Sequence, residues 1–208
     1  VIVLMIAAVV SFVIGERIDA IVIMAIVTSM ISGPGMRMIL RPTRKRRLHD
    51  AMSARHFIRE LQGSTRREAI RELIAVVSET TGLGAATLEQ TVWAREAILS
   101  TGIGHGVALP HARVEGIQEP IVATGISDSG IDFDSPDGKP AHVIFLLLTP
   151  TDDSTAQLEL LAEVSWLFAN PNFLGMVLGA RNYTDFLALM KSVPFDFAHA
   201  SPTPQSQS

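Results

Sequence analysis

The sequence predicts an α/β sandwich for residues 48–193, in which helices alternate with strands around one small sheet. Three observations predict it: apolar residues at helical spacing, short apolar runs typical of strands, and glycine or proline residues between these segments. Helices that alternate with strands pack against the faces of a shared sheet. The 208 residues are enough for one such domain with a well-formed core and additional segments beside it.

Two helices are predicted first. Thr65–Glu68 matches a capping box, the pattern that opens a helix. The apolar residues that follow have helical spacing: Ile70, Leu73, Ile74 and Val77. Gly82 and Gly84 end this helix. By the same logic Thr87–Gln90 opens a second helix, which runs to about Leu99 and carries Arg95 on its last turns.

Two strands come next, Ile121–Ile126 and His142–Leu148, with the turn residues Ser135–Gly138 between them. The second run is continuously apolar, which is typical of a central strand buried on both faces. A sheet with this strand at its centre is therefore expected.

Helices complete the domain. The first of them follows Pro150, and its predicted apolar face consists of Leu158, Leu161, Ser165 and Phe168. The dipeptide Asn170-Pro171 ends it, because the residue before a proline disfavours helical geometry. Two short helices are predicted near residues 173–178 and 184–191.

The segments outside the domain have different compositions. Val1–Ile14 is almost wholly apolar and Ile18–Ile31 nearly so, and six basic residues follow: Arg37, Arg41, Arg44, Lys45, Arg46 and Arg47. A basic cluster after an apolar helix marks the cytoplasmic end of a membrane span, so residues 1–40 are predicted to be transmembrane and 41–47 a basic linker. Each run is shorter than the about 20 residues of a full span, which leaves a signal peptide or a buried core helix as alternatives. Residues 194–208 are predicted to be a disordered tail.

Charge is unevenly distributed along the chain. Of 17 Lys and Arg and 21 Asp and Glu, seven basic and two acidic residues precede Leu48, which leaves 10 basic and 19 acidic residues after it. The large C-terminal part is therefore acidic and is not expected to bind nucleic acid. The basic cluster suits anionic lipid headgroups instead. The chain has no cysteine, which excludes disulfides and thiolate chemistry.

The most informative stretch is Ser100–Arg113, where three alternate glycines lead through an apolar step to Pro110 and His111. Glycine permits positive φ and close backbone approach, and proline fixes the chain just before the histidine. A histidine on a rigid turn is suited to act as a nucleophile or a proton carrier. A glycine-rich turn beside a surface histidine is the alternative interpretation.

Together with Arg95-Glu96 upstream, this stretch resembles the phosphohistidine motif of the IIA domain of the bacterial phosphotransferase system, fructose/mannitol/nitrogen type. The order of elements from Leu48 to Ser192 is also similar to that family. The resemblance implies that His111 is the phosphorylated residue. It also implies a IIA-like sandwich, that is, a mixed central sheet flanked by helices.

The resemblance implies roles for further residues. Arg95 matches the active-site arginine of the family and is expected to stabilise phosphoryl charge with bidentate geometry. The backbone N–H groups of the loop formed by Gly102, Gly104 and Gly106 are expected to assist it. Gln157 stands where the family usually has a second active-site histidine. A glutamine can donate a hydrogen bond to phosphate but cannot become cationic, so the phosphorylated state is expected to be less stabilised.

Two nearby residues are given lower rank. Arg113 is closer to His111 in sequence but is placed below Arg95 as a phosphate ligand. A metal shared by His105 and His111 is disfavoured, because the spacing is not that of helical ligands and no carboxylate pattern accompanies it. No metal and no other cofactor is predicted.

The stretch Ala25–Pro34 resembles the end of the last transmembrane helix of bacterial cation/proton antiporters. The leading hypothesis is therefore a IIA-like domain in the cytoplasm, attached to the inner membrane. It accepts phosphate on His111 from an HPr-type carrier and regulates an attached sodium or potassium/proton antiporter. One alternative is a IIA transferase that passes phosphate through a IIB-type acceptor to a sugar permease. Another is a binding module that has lost phosphotransfer.

Overall fold

Six strands and five α-helices follow one another in residues 47–193, the part of the chain that the computed structural model describes. After a 3₁₀ turn at Leu48–Asp50, the strands are β1 Met52–Ile58, β2 Gly102–Gly104, β3 Val107–Ala108, β4 His111–Val114, β5 Ile121–Ile131 and β6 Ala141–Pro150. The helices are α1 Arg66–Thr81, α2 Ala85–Glu96, α3 Ser154–Phe168, α4 Pro171–Leu178 and α5 Tyr183–Ser192.

The predicted transmembrane residues 1–40, all of the linker 41–47 except Arg47, and the predicted tail 194–208 lie outside the described residues. Within residues 47–193, every helix is too short or too polar to cross a bilayer. The membrane prediction therefore concerns only residues on which the structure gives no information.

The strands form one mixed sheet in the order β1-β5-β6-β3-β2, with β4 also paired to β6. β5 and β6 are antiparallel, whereas β3 and β4 both run parallel to β6 along its other edge. Strand β6 is buried except at the half-buried His142. It sends Val143, Phe145 and Leu147 to one face and Ile144, Leu146 and Leu148 to the other. The predicted central strand is thus confirmed.

Helices cover both faces of this sheet. On one face, Leu73 of α1 and Leu88 of α2 belong to the same core cluster as Leu146 of β6. On the other face, the aromatic rings of α3 and α4 pack edge-on, with 5.1 Å between the ring centroids of Phe168 and Phe173. The predicted mixed sheet flanked by helices is the observed architecture.

Helix α1 begins as its sequence predicts. The Thr65 hydroxyl accepts a hydrogen bond from the Glu68 N–H at 3.3 Å, and the Glu68 carboxylate accepts one from the Thr65 N–H at 3.0 Å. This reciprocal pair satisfies two of the N–H groups that a helix start leaves without intrahelical partners. Gly82 ends the helix in the left-handed conformation, with φ +75°.

Helix α2 does not start at the predicted box. It begins at Ala85, with Gly84 in extended conformation as the N-cap, and it ends at Glu96 rather than near Leu99. Thr87 already lies inside the first turn, where its carbonyl accepts a hydrogen bond from the Thr91 hydroxyl at 2.8 Å. The capping-box pattern at Thr87 was therefore coincidental, because a glycine three residues earlier gave the chain its entry into the helix.

Helix α3 buries only part of its predicted apolar face. Phe168 is buried and Leu161 is half-buried against the core, whereas Ser165 is exposed. Leu158 is 67% exposed, whereas Ala156, Leu160 and Val164 are buried. The N-cap Asp153 fixes where the helix begins by accepting a hydrogen bond from the Ala156 N–H at 3.0 Å. From that start, residues four apart beginning at Ala156 turn towards the sheet. Leu158 faces outward instead.

Candidate functional site

His111 is the first residue of β4, on the edge strand beside the central strand β6. Its Cα is paired with that of Leu147. The preceding carbonyl of Pro110 accepts a hydrogen bond from the Leu147 N–H at 2.9 Å, and the Leu109 N–H donates to the Thr101 carbonyl at 2.9 Å. The backbone on the N-terminal side of His111 is therefore tied both to the sheet and to the glycine-rich segment before it.

The His111 ring is held in one tautomer. The side chain is buried, with 8% of the residue exposed, and Nδ1 lies 2.8 Å from the Leu109 carbonyl oxygen. A carbonyl oxygen can only accept a hydrogen bond, so Nδ1 carries the proton and donates it. The neutral ring then keeps its lone pair on Nε2.

The surroundings keep this ring neutral. Burial lowers the pKa of His111 below its ordinary value of 6.5, and the positive charge of Arg95 lowers it further. The hydrogen bond to Leu109 and the carboxylate of Glu96 act in the opposite direction, but the pKa remains lowered. The nucleophilic form is thus the main form at neutral pH.

Arg95 lies in the last turn of α2, where its charge reaches His111 strongly enough to lower the pKa of the histidine. The guanidinium donates from Nη1 to the Leu99 carbonyl at 3.3 Å. This bond uses one of its five N–H donors and carries no neutralising charge. The structure thus places the charge of Arg95 in the neighbourhood of His111, and its role as a phosphate ligand stays a prediction.

Glu96, next to Arg95, organises the loop that leads to the site, a role that the sequence analysis missed. Its buried carboxylate accepts hydrogen bonds from the N–H of Thr101 at 3.3 Å and from its hydroxyl at 2.5 Å. Arg66 lies 3.5 Å from the same carboxylate. A signal was available, since Glu96 continues the four-residue spacing of the buried Leu88 and Val92.

Gln157 lies in the first turn of α3, and its partner is Arg113. The Arg113 Nε donates to the Gln157 Oε1 at 3.1 Å. Arg113 follows His111 by two residues on β4, so both side chains leave the same face of the strand. Arg113, ranked below Arg95 from the sequence, thus forms a pair that the sequence did not predict.

The glycine-rich segment forms the β2–β3 hairpin. At its tip Gly104, His105 and Gly106 all have positive φ, of 83°, 55° and 75°, as the tight turns of twisted hairpins require. The His105 N–H donates to the Asp137 carboxylate at 3.0 Å. The glycines at the tip thus serve the geometry of this turn.

The sheet register separates the hairpin tip from His111. Val107 is paired with Val143 and His111 with Leu147, a difference of four residues along β6, or about 13 Å. Gly104 and Gly106 lie in the turn just before Val107, at the far end of this separation. The role of the loop in binding phosphate stays a prediction. Gly102 lies in β2 and is paired with Ala108.

Exposed apolar side chains adjoin the candidate site residues. Ile98 and Leu99 follow Arg95 and are 82% and 66% exposed, and Leu158 follows Gln157. Isolated exposed apolar residues are ordinary, but exposed apolar residues next to candidate site residues favour a protein-binding surface.

Comparison with known proteins places this geometry in a family. The family model described as "Phosphoenolpyruvate-dependent sugar phosphotransferase system, EIIA 2" matches residues 51–193. A nitrogen regulatory protein of Pseudomonas aeruginosa is 32% identical over 120 residues, which are 57% of this chain and 78% of that protein. The fructose-specific EIIABC component of Bacillus subtilis is 29% identical over 123 residues, 59% of this chain but only 19% of that larger protein.

Solved structures show the same fold. The crystal structure of nitrogen regulatory protein IIA-Ntr from Neisseria meningitidis superposes with a TM-score of 0.65 at 25% identity, covering 69% of this chain and 98% of that one. IIA mannitol from Escherichia coli has a TM-score of 0.57 at 16% identity, with 66% and 97% covered. The family match includes Arg95, His111 and Gln157. These comparisons give no support to the predicted antiporter, ion-transport and transmembrane assignments.

Proposed function

The chain belongs to the EIIA 2 family of the phosphoenolpyruvate-dependent sugar phosphotransferase system, and from that premise we propose that it carries a phosphoryl group on Nε2 of His111. The observation that carries this proposal is the hydrogen bond from Nδ1 to the Leu109 carbonyl, which leaves the lone pair on Nε2. The donor is a phosphorylated HPr-type carrier, since IIA domains of this system pass phosphate between such carriers and IIB domains.

The transfer exchanges one phosphorus–nitrogen bond for another. The Nε2 lone pair attacks the phosphorus of the donor phosphohistidine, and the electrons of the breaking bond return to the donor ring. The proton on Nδ1 of His111 stays in place, hydrogen-bonded to Leu109. Charge spreads over the three phosphoryl oxygens during the transfer, so Arg95 contributes by stabilising that charge rather than by forming a covalent bond.

The donor docks on the exposed apolar residues beside the site. Ile98, Leu99 and Leu158 supply apolar contact, and Arg95 lies just before Ile98 and Leu99 in sequence. A carrier that brings a negatively charged phosphoryl group meets the complementary positive charge of Arg95 beside these residues.

Two uses of the phosphorylated domain follow. Transfer to a IIB-type acceptor is supported by a structural relative, IIA mannitol of Escherichia coli, which was determined in complex with its phosphorylated IIB partner. A regulatory use is supported by the relatives named nitrogen regulatory protein, and by Gln157 at the position of the second histidine. Incubating the phosphorylated chain with a IIB domain distinguishes them, because only the transfer use predicts rapid loss of label to the acceptor.

Regulation of an attached cation/proton antiporter is a finer proposal, which rests on the sequence of residues 1–47. This proposal requires that residues 1–47 attach the chain to the membrane. Fractionation of cells that express either the full 208 residues or a chain starting at Leu48 tests that attachment. We expect the full chain in the membrane fraction and the shorter chain in the supernatant. The full chain in the supernatant would contradict the membrane attachment.

Phosphoryl uptake should persist at mildly acidic pH. Uptake requires neutral His111, and because burial lowers the pKa of this residue below 6.5, the ring is still mostly neutral at pH 6.5. As the pH falls, uptake is lost when His111 becomes protonated, which happens only around its lowered pKa. Arg95→Ala removes a positive charge near the ring and should therefore raise this pKa. NMR titration of the His111 ring signals measures the midpoint directly, and a value at or above 6.5 would refute the expectation.

The same labelling experiment separates phosphotransfer from the binding-module alternative. One acid-labile, base-stable phosphate per chain after incubation with phosphorylated HPr-type carrier supports the proposed function. Stable binding of the carrier without any transfer would support the binding module instead.

A further inference from the structure

We propose that Arg113 is a second phosphoryl-binding arginine of this site, oriented by Gln157, and that this pair supplies the positive charge that glutamine cannot supply at position 157. The inference rests on the proposed phosphorylation of His111. It assigns to Arg113 a contact with the phosphoryl group, and to Gln157 a positioning role that acts through the arginine.

Arg113 and His111 lie on the same face of β4. His111 and Arg113 are paired in unbroken register with Leu147 and Thr149 of β6, so their side chains point to the same face and their Cα atoms are about 7 Å apart. Leu147 belongs to the core cluster under α3, the helix that carries Gln157. Histidine, arginine and glutamine thus lie on the same side of the sheet.

Within the described residues, the guanidinium of Arg113 is held at one edge only. Arg113 donates from Nε to the Gln157 Oε1 at 3.1 Å. Its two Nη groups have no hydrogen-bond acceptor among residues 47–193. One edge of the guanidinium is therefore held, while the terminal donors stay available for phosphoryl oxygens. Arginine is suited to this use because its planar fork matches phosphate geometry.

The positive charge of Arg113 is not neutralised by its partner Gln157. Only the carbonyl oxygen of Gln157 can accept from Arg113, and this oxygen carries no net charge. A neutral acceptor fixes the guanidinium without neutralising it. A carboxylate at position 157 would hold the arginine equally well but would cancel its charge and repel phosphate. The glutamine therefore preserves a cationic site.

The alternative is that the Arg113–Gln157 hydrogen bond only attaches α3 to the edge strand. The two interpretations differ for Gln157→Glu. A merely structural bond becomes a salt bridge in this variant, so folding stability and phosphoryl uptake are both retained. A phosphoryl-binding arginine is neutralised, so uptake slows although the fold is intact.

The experiment measures the rate of phosphoryl uptake from a phosphorylated HPr-type carrier and the half-life of the phosphorylated chain. Arg113→Ala should slow uptake or shorten the half-life by about 10-fold to 100-fold, the range for losing one charge-assisted hydrogen-bond donor. Gln157→Glu should likewise slow uptake or shorten the half-life. Arg113→Lys should retain part of the uptake rate and half-life of the unsubstituted chain. Arg181→Ala is the matched control, since this arginine is 90% exposed and lies just before α5.

The outcomes separate the two proposals. If the unsubstituted chain takes up phosphate and Arg113→Ala or Gln157→Glu does so at the same rate and with the same half-life, Arg113 has no phosphoryl-binding role and the proposed function stands. If the unsubstituted chain takes up none, both proposals fail. Thermal unfolding of each variant shows whether a slow variant is folded, and a folded Gln157→Glu variant with slow uptake supports the inference even if Arg113→Ala is destabilised.

Discussion

Replacing His111 with alanine should abolish phosphoryl uptake, whereas His105→Ala should leave it unchanged. The reason is geometric, since His111 has a buried neutral ring whose proton is fixed on Nδ1 by the Leu109 carbonyl. His105 lies instead at the exposed tip of the β2–β3 hairpin. It comes two residues before Val107, whose partner on β6 is about 13 Å along the strand from that of His111. Incubation with a phosphorylated HPr-type carrier, followed by measurement of acid-labile phosphate, gives the result.

His111→Gln serves as a second variant that controls for folding. Its amide can still donate to the Leu109 carbonyl but offers no ring nitrogen to phosphorus. A folded His111→Gln chain without label confirms that the ring is the acceptor. Label that persists in His111→Ala, or that disappears in His105→Ala, would exclude the assignment.

Replacing Arg95 with alanine should slow phosphoryl uptake by about 10²-fold to 10³-fold, the range for losing one preorganised donor at a site of developing charge. The guanidinium of Arg95 is close enough to lower the pKa of His111. The hydrogen bond that it donates to the Leu99 carbonyl leaves its positive charge in place. The fold should be little affected, because that bond is at 3.3 Å and within the same segment. Single-turnover rates of labelling measure the effect.

Two comparisons make this result specific. Arg95→Lys should recover only part of the rate, since a point charge does not reproduce the fork of the guanidinium. Arg71→Ala removes a half-exposed arginine that is paired with Glu89 on another part of the domain, and it should leave the rate unchanged. A normal rate in Arg95→Ala would show that this arginine is only a surface charge and would favour the binding-module alternative.

Much of the fold could be predicted because its signals are local. The central strand β6 alternates its side chains between two buried faces, so its sequence is apolar without interruption. Helix α1 carries both halves of its capping box. In both elements the residues that reveal the structure are neighbours in sequence, so the pattern can be recognised without knowledge of the fold.

The failures arose where the deciding interaction is non-local or lies just outside the pattern. The entry of α2 depends on Gly84, and the buried face of α3 depends on the cap at Asp153. Neither is visible from apolar spacing alone. For α3 the consequence was a leucine, Leu158, assigned to the core although it is exposed.

The candidate site was predicted unevenly for the same reason. His111 and Arg95 lie within one continuous motif, so the family resemblance located both. The pair of Arg113 and Gln157 joins residues 44 positions apart, and no sequence pattern connects them. The distance of the hairpin tip from His111 likewise depends on pairing with β6, which alternate glycines do not reveal.

The central claim is that Nε2 of His111 receives the phosphoryl group while Nδ1 keeps its proton. A long-range proton–nitrogen correlation spectrum of the phosphorylated chain tests it most directly, because it identifies the ring nitrogen that carries phosphorus. The account predicts one phosphorylated histidine, His111, with phosphorus on Nε2 and the proton on Nδ1. Phosphorus on Nδ1 of His111, or on any other histidine of the chain, would contradict it.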